Sequence, residues 1–104
     1  MTMTEDDKIC ADFRMVGGKI ISFSIHYISK IDKKWRDVIR VDTAKHGDKN
    51  KEGLAHVHHF YKKKSEWYQL LSQKHDDFNI LYEQWLVNII KRAKHYKRNY
   101  LYNK

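Results

Sequence analysis

The sequence Arg-Val-Asp-Thr-Ala-Lys-His-Gly at residues 40–47, followed after a polar segment by Ala-His-Val-His-His-Phe-Tyr at residues 55–61, divides the chain into two regions. The two runs hold four of the seven histidines. Before them, apolar and polar residues alternate, which is typical of strands. After them, apolar residues recur every three or four positions, which is typical of helices. The sheet is therefore expected before and within this stretch, and the helices after it.

Four strands are predicted, over residues 9–16, 19–29, 35–42 and 55–61. Gly17 and Gly18 separate the first two, and paired glycines between alternating runs indicate a tight hairpin turn. The acidic and polar residues 1–8 are expected to form a flexible tail.

Alternation within the third strand separates its side chains into two groups. Trp35, Ile39 and Val41 are expected on the apolar face. Arg40 and Asp42 are expected side by side on the opposite, more polar face.

Two helices are predicted after the strands. Ser65 is a suitable N-cap for a helix over residues 66–71, and Asp76 or Asp77 for a long helix over residues 78–101. Strands followed by helices predict an α+β fold: a four-stranded antiparallel β-sheet followed by two helices, with the long C-terminal helix packed on one sheet face. A chain of 104 residues is expected to form a single domain.

The histidines suggest chemistry because alternation places His56 and His58 on the same face as Arg40 and Asp42, with His46 on the intervening loop. Imidazoles transfer protons near neutral pH, and an arginine can hold a phosphate with its planar fork. The candidate catalytic residues are therefore Arg40, Asp42, His46, His56 and His58. His59 points to the helix side and is not a candidate.

Two other interpretations of the same residues stay open. His46, His56 and His58 can form a zinc or manganese site, because clustered imidazoles with a carboxylate suit these metals. Alternatively, the histidines, Arg40 and Asp42 are structural and organise the sheet through hydrogen bonds and an ion pair.

The net charge of +8 favours an acidic partner, which can be nucleic acid, an acidic protein or an anionic surface. After Glu83 the chain has no further acidic residue, and basic residues alternate with tyrosines, which suits a surface that follows a nucleic-acid backbone. A solvated helix face is the alternative. The candidate nucleic-acid contacts are Lys62, Lys63, Lys64, Lys91, Arg92, Lys94, Lys97 and Arg98.

The remaining composition indicates where the protein acts. No apolar run approaches the roughly 18 residues of a membrane span, and the N-terminus lacks the features of a secretory signal. The single cysteine, Cys10, cannot form an internal disulfide. We therefore expect a cytoplasmic protein with no membrane partner.

The central stretch resembles a signature of TumE-like toxins from toxin–antitoxin modules, in which Asp-Asn-Ala precedes a histidine and a short loop leads to a strand of His-x-His type. Asp-Thr-Ala-Lys-His-Gly at residues 42–47 and His-Val-His-His at residues 56–59 stand in those places, with Thr43 where the family has asparagine. The resemblance covers residues 40–59. It implies a toxin that acts on RNA, with site residues Asp42, His46, His56 and His58, and an acidic antitoxin-like partner.

The leading hypothesis is a small basic nuclease-like protein that cleaves RNA without a cofactor. Arg40 would hold the phosphate, His56 and His58 would act as acid and base, and His46 would close over the site from its loop. The alternatives are a non-catalytic nucleic-acid-binding or regulatory protein, a histidine-based metal-binding protein, and a module that works as a homodimer through its open sheet face.

Overall fold

A computed structural model of the chain describes residues 1–43, 55–62, 64–70 and 77–102. Six strands and one helix occur in this part of the chain. Their bounds are β1 Thr2–Thr4, β2 Asp7–Val16, β3 Lys19–Ile31, β4 Lys34–Asp42, β5 His56–Tyr61, β6 Lys64–Leu70 and α1 Phe78–Tyr102.

The strands form one antiparallel sheet in which each strand pairs with the next in sequence. Two tight turns set its register. Gly17 and Gly18 have φ of 58° and 78°, and Asp32 and Lys33 have φ of 54° and 66°. Positive φ at both central residues gives the turn a twist that matches right-handed strands, so both hairpins stay closely paired.

The helix α1 covers one face of the sheet, which we call the helix face. Asp77 caps α1, as predicted, because its Oδ1 accepts a hydrogen bond from the backbone N–H of Asn79 at 2.8 Å. Alternate residues of the central strands pack against the inner side of the helix, where Ile89 and Ala93 are buried. The buried strand residues of this core include Ile9, Phe23, Ile25, Tyr27, Ile39, Val41 and Val57.

The opposite face, which we call the polar face, carries the residues between those core positions. Ser24 and His26 of β3 pair there with Asp42 and Arg40 of β4. Among the residues described, no helix is both long enough and apolar enough to cross a membrane.

The predicted arrangement of four strands and two helices is wrong. Residues 64–70, expected to be mostly helical, form strand β6, which pairs along β5. The long helix and its position on one sheet face agree with the prediction. The expected flexible tail at residues 1–8 instead forms β1 and the start of β2, and the N-terminal ammonium of Met1 donates a 2.7 Å hydrogen bond to the carbonyl of Ile9.

A β-bulge changes the predicted face of Trp35. Tyr27 pairs with Ile39, but the next residue, Ile28, pairs with Asp37, so β4 has one extra residue at Val38. An extra residue reverses the alternation beyond it. Trp35 therefore lies on the polar face. The prediction that it shares the helix face with Ile39 is wrong.

Candidate functional site

Four predicted site residues meet on the polar face of β4 and β5. Arg40 pairs with His58 across the two strands, and Asp42 pairs with His56. This register confirms the prediction that these four side chains lie on the same face. The ring of His59 lies on the other face, with its centroid 6.1 Å from that of Tyr96 in α1. Burial, and then the nearby His58, lower the pKa of His59, which suits its place beside the core.

Asp42 lies between a guanidinium and an imidazole. The Nε of Arg40 lies 2.8 Å from Oδ2 of Asp42. The Nε2 of His58 lies 3.9 Å from the same oxygen. The rings of His56 and His58 have centroids 6.3 Å apart. The carboxylate therefore fixes the Nε side of Arg40 and leaves its terminal nitrogens as the part that can hold a ligand.

Burial separates these four residues into two groups. His56 and His58 are 0% and 1% exposed, and the whole residue Asp42 is 5% exposed. The Arg40 side chain keeps 24% of its surface. A buried imidazole cannot meet a polymeric substrate directly, so Arg40 is the member of this group that a substrate reaches in this structure.

Arg40 opens into a cleft of about 530 Å³ on the polar face of β2, β3 and β4. The cleft is lined by Asp12, Ser22, Phe23, Ser24, His26, Arg40, Asp42 and Thr43. Its lining thus combines an imidazole, a guanidinium and two carboxylates. The cleft therefore brings an acid, a base and a cation together.

His26 is the accessible histidine of the cleft, and its side chain is 32% exposed. Its Nδ1 lies 3.5 Å from Oδ1 of Asp37. The hydrogen bond from His26 lowers the pKa of Asp37 against the opposing effect of burial, so Asp37 stays ionised behind the imidazole. This contact fixes the ring and leaves Nε2 for a ligand, as a carboxylate behind a catalytic histidine does.

Asp12 lines the same cleft as His26. It pairs with Ser24, so it is a diagonal neighbour of His26 on the adjacent strand, at a separation of roughly 7–8 Å between backbones. Its Oδ1 accepts a 3.4 Å hydrogen bond from the hydroxyl of Ser24. A carboxylate and an imidazole in one cleft can serve as base and acid for one substrate.

Sequence reasoning did not select His26, Asp12 or Asp37. The signal for His26 was its alternation with Ser22 and Ser24 on one strand face. Recognising it as a site residue required the pairing of His26 with Arg40, which alternation within one strand does not give.

The metal interpretation is not supported by a ligand cluster within residues 1–43, 55–62, 64–70 and 77–102. No three His, Cys, Asp or Glu side chains there are grouped closely enough to hold a metal ion. His46 lies outside the described residues. The alternative of zinc or manganese on His46, His56 and His58 therefore stays a prediction.

The predicted basic contacts of α1 differ in their surroundings. Lys91, Arg92, Lys94 and Arg98 are exposed, whereas Lys97 is partly buried and its Nζ lies 3.2 Å from Oδ1 of Asp7. Lys97 therefore takes part in a structural ion pair. Because α1 covers the helix face, its outer side and the cleft lie on opposite sides of the sheet.

The predicted contacts near the β5–β6 turn are only partly described. Lys62 is exposed, and its Nζ lies 3.5 Å from Oδ2 of Asp32. Its backbone N–H donates a 2.9 Å hydrogen bond to the carbonyl of Tyr100, which ties the turn to the end of α1. Lys63 lies outside the described residues, and Lys64 begins β6.

The whole chain, residues 1–104, matches the family model of a domain of unknown function, DUF7718. No curated protein matches the chain, and no solved structure does. The resemblance to TumE-like toxins is not tested by the family match and stays a prediction.

Proposed function

We propose that this chain, which belongs over its whole length to the DUF7718 family, is a small cytoplasmic protein that cleaves RNA in the polar-face cleft. The observation that carries the proposal is the position of His26. Supported from behind by Asp37, it lies directly across the strand pair from Arg40 at the open cleft. The net charge of +8 favours a polyanion as the substrate.

The roles of the cleft residues follow from their accessibility. Proton transfer was predicted for His56 and His58, but both are buried, so we assign it to the cleft residues Asp12 and His26. The carboxylate of Asp12 accepts the proton of a ribose 2′-hydroxyl, and the 2′-oxygen forms a bond to the adjacent phosphorus. The bond from phosphorus to the 5′-oxygen breaks, and His26 gives its Nε2 proton to that oxygen.

Arg40 supplies the positive charge that this reaction needs. Its terminal nitrogens hold the phosphate, on which negative charge increases in the transition state. Asp42 fixes the guanidinium from its Nε side, so we classify Asp42 as a positioning residue. An acid, a base and a cation suffice for cleavage through the 2′-hydroxyl. The choice of RNA over DNA also follows the resemblance to TumE-like toxins, which further implies an acidic antitoxin-like partner.

The test is cleavage of an end-labelled single-stranded RNA in chelator by the purified protein. We expect a product with a 2′,3′-cyclic phosphate, and no cleavage when the ribose at the scissile position lacks its 2′-hydroxyl. His26→Ala is expected to lower the rate by about 100- to 10,000-fold, the usual range for loss of a general acid. His95→Ala is the matched control, because His95 is exposed on α1 and away from the cleft.

Equal cleavage by wild type and His26→Ala, from parallel purifications, would show that the activity is a contaminant or lies elsewhere. No cleavage by wild type at any protein concentration would reject the proposal.

A second candidate function is nucleic-acid binding without catalysis, through the outer side of α1. It is favoured by the exposure of Lys91, Lys94 and Arg98 together with Tyr102, which is 73% exposed. Under this alternative, substitution of His26 leaves RNA binding unchanged, whereas neutralising the helix lysines weakens it.

A further inference from the structure

Trp35 is an exposed aromatic side chain on the same face as the cleft. The bulge at Val38 places it on the polar face, where it pairs with Lys30 of β3. It keeps 39% of its surface, which is unusual for the largest apolar side chain in a strand. Single exposed apolar residues need no explanation on their own. Trp35 differs because of the residues that surround it.

The ammonium groups of two lysines lie over the indole ring. The Nζ of Lys8 lies 4.3 Å from the ring centroid of Trp35, and the Nζ of Lys30 lies 5.9 Å from it. No carboxylate lies within ion-pair distance of either ammonium among the described residues. The Lys8 ammonium therefore covers one face of the ring in a cation–π contact, and a base that stacks on that face displaces it towards a neighbouring phosphate.

A second cavity, of about 320 Å³, adjoins Trp35. Its lining consists of Trp35, Arg36, Asp37, Phe60, Tyr61 and Tyr100. Four of these six residues are aromatic, and the volume is at the lower end of the roughly 300–1,000 Å³ of small-ligand pockets. The depression therefore places further aromatic side chains beside Trp35.

Two contacts connect this cavity to the cleft. Asp37 lines the cavity and also contacts His26, which lines the cleft. The guanidinium carbon of Arg40 lies 5.6 Å from the ring centroid of Phe60, another cavity residue. The cavity therefore lies beside the cleft, and it extends to Tyr100 of α1 on the helix face.

We infer that Trp35, Lys8 and Lys30 form a nucleobase subsite for single-stranded RNA. A base stacks on Trp35, and the phosphates on either side of it contact Lys8 and Lys30. Aromatic residues beside a basic groove are the usual means of holding single strands, because every base has a face that can stack. In a duplex the base is already stacked and paired, so the subsite selects single strands. The inference depends on RNA being the ligand of the proposed function.

The spacing of the two sites sets the length of RNA that the subsite requires. Because of the bulge at Val38, the β3 partners of Trp35 and Arg40, Lys30 and His26, are only four positions apart, or about 13 Å at 3.3 Å per residue. The base on Trp35 therefore belongs to a nucleotide beyond the two that flank the scissile phosphate. A dinucleotide is too short to use it, whereas an eight-nucleotide RNA reaches it.

The binding test uses a fluorescent eight-nucleotide RNA with 2′-O-methyl groups, which cannot be cleaved through the 2′-oxygen. We expect Trp35→Ala to weaken binding by about 5- to 150-fold, the range for loss of one stacked base. Trp35→Phe should retain part of the affinity. Lys8→Gln and Lys30→Gln should each lower the slope of log affinity against log salt by about 0.7, as loss of one single-strand phosphate contact does.

Lys19→Gln is the matched control, because it removes the same charge at the opposite end of β3. Thermal unfolding of Trp35→Ala and Trp35→Phe shows whether each variant is folded. Unchanged binding by a folded Trp35→Ala overturns the subsite.

Cleavage kinetics distinguish this inference from the proposed function. We expect Trp35→Ala to raise KM for the cleavable eight-nucleotide RNA and to leave dinucleotide cleavage unchanged. If both variant and wild type cleave the longer RNA alike, the subsite is wrong and the proposed function stands. If wild type binds the 2′-O-methyl RNA through Trp35 but cleaves nothing, the proposed function is wrong and the subsite stands. If wild type binds no RNA, both are wrong.

Discussion

The carboxylate of Asp7 joins the N-terminal strands to β3 and to the helix. Its Oδ1 accepts hydrogen bonds from Tyr27 at 2.7 Å, Ser29 at 2.8 Å and Lys97 at 3.2 Å. Its Oδ2 accepts one from Thr4 at 2.6 Å. Burial alone would raise the pKa of Asp7, but these four donors outweigh it and lower the pKa from 3.8 to about 2. The ionised form is therefore the one that the fold stabilises.

The first prediction concerns acid stability. Because the folded-state pKa of Asp7 is lowered, its carboxylate stabilises the fold fully above pH 3.8. This stabilisation is lost as the pH falls through about 2. A shift of this size corresponds to up to about 2 kcal/mol. We expect Asp7→Asn to lower the free energy of unfolding by that amount at neutral pH, and the difference from wild type to shrink between about pH 4 and pH 2. Urea unfolding at several pH values measures it.

Asp6→Asn is the control for this experiment. Asp6 is exposed, and only its backbone takes part in the network: its carbonyl accepts hydrogen bonds from Lys30 and Ser29, and its N–H donates one to the hydroxyl of Thr4. Its substitution should leave the pH dependence as in wild type. A constant difference between Asp7→Asn and wild type down to about pH 2 would contradict the assignment.

Some of the candidate site could be predicted from the sequence. Alternation within each strand placed Arg40, Asp42 and the two histidines on one face, because side chains of a strand alternate whatever its partners are. The burial of His56 and His58 could not be predicted in this way. It depends on what packs over the polar face. The position of His26 beside Arg40 depends on the register between β3 and β4.

At the scale of elements, residues 64–70 show why the fold prediction failed. Trp67, Leu70 and Leu71 are spaced as on one side of a helix, and a run this short does not distinguish helix from strand. The pairing of this segment with β5 decides that it forms a strand. Without β6, strand β5 would be an edge with unpaired backbone groups, and pairing from His56–Leu70 to Tyr61–Lys64 satisfies them. The long helix α1 could be predicted because apolar residues recur every three or four positions over many of its turns.

The second prediction concerns the β2–β3 hairpin. Gly17 has φ of 58°, and a Cβ added there meets no atom within 4 Å. The cost of Gly17→Ala is therefore that of the left-handed backbone alone, about 1–2 kcal/mol in the free energy of unfolding. Gly17→Asn should cost clearly less, because asparagine tolerates this conformation. Chemical denaturation measures both, and equal losses for alanine and asparagine would point to a different turn geometry.

At the scale of the whole molecule, the helix separates two basic surfaces. The sequence predicted nucleic-acid contacts on the long helix and catalytic residues on the polar sheet face. In the structure, Lys91 and Lys94 are exposed on α1, which packs on the helix face, while Lys8 and Lys30 lie on the polar face. An RNA strand that follows the polar face past the cleft therefore contacts Lys8 and Lys30, and not the outer side of the helix.

The last prediction uses this separation to decide which surface binds RNA. The double variants Lys8→Gln/Lys30→Gln and Lys91→Gln/Lys94→Gln lose the same charge, so a general effect of net charge is equal in both. We expect the first to lower the salt slope of binding to the 2′-O-methyl RNA by about 1.4, at roughly 0.7 per phosphate contact, and the second to leave it near the wild-type value. The reverse result would assign RNA to the helix and support binding without catalysis. Equal slopes in both variants would mean that the charge acts only at long range, because screened attraction needs no particular lysine.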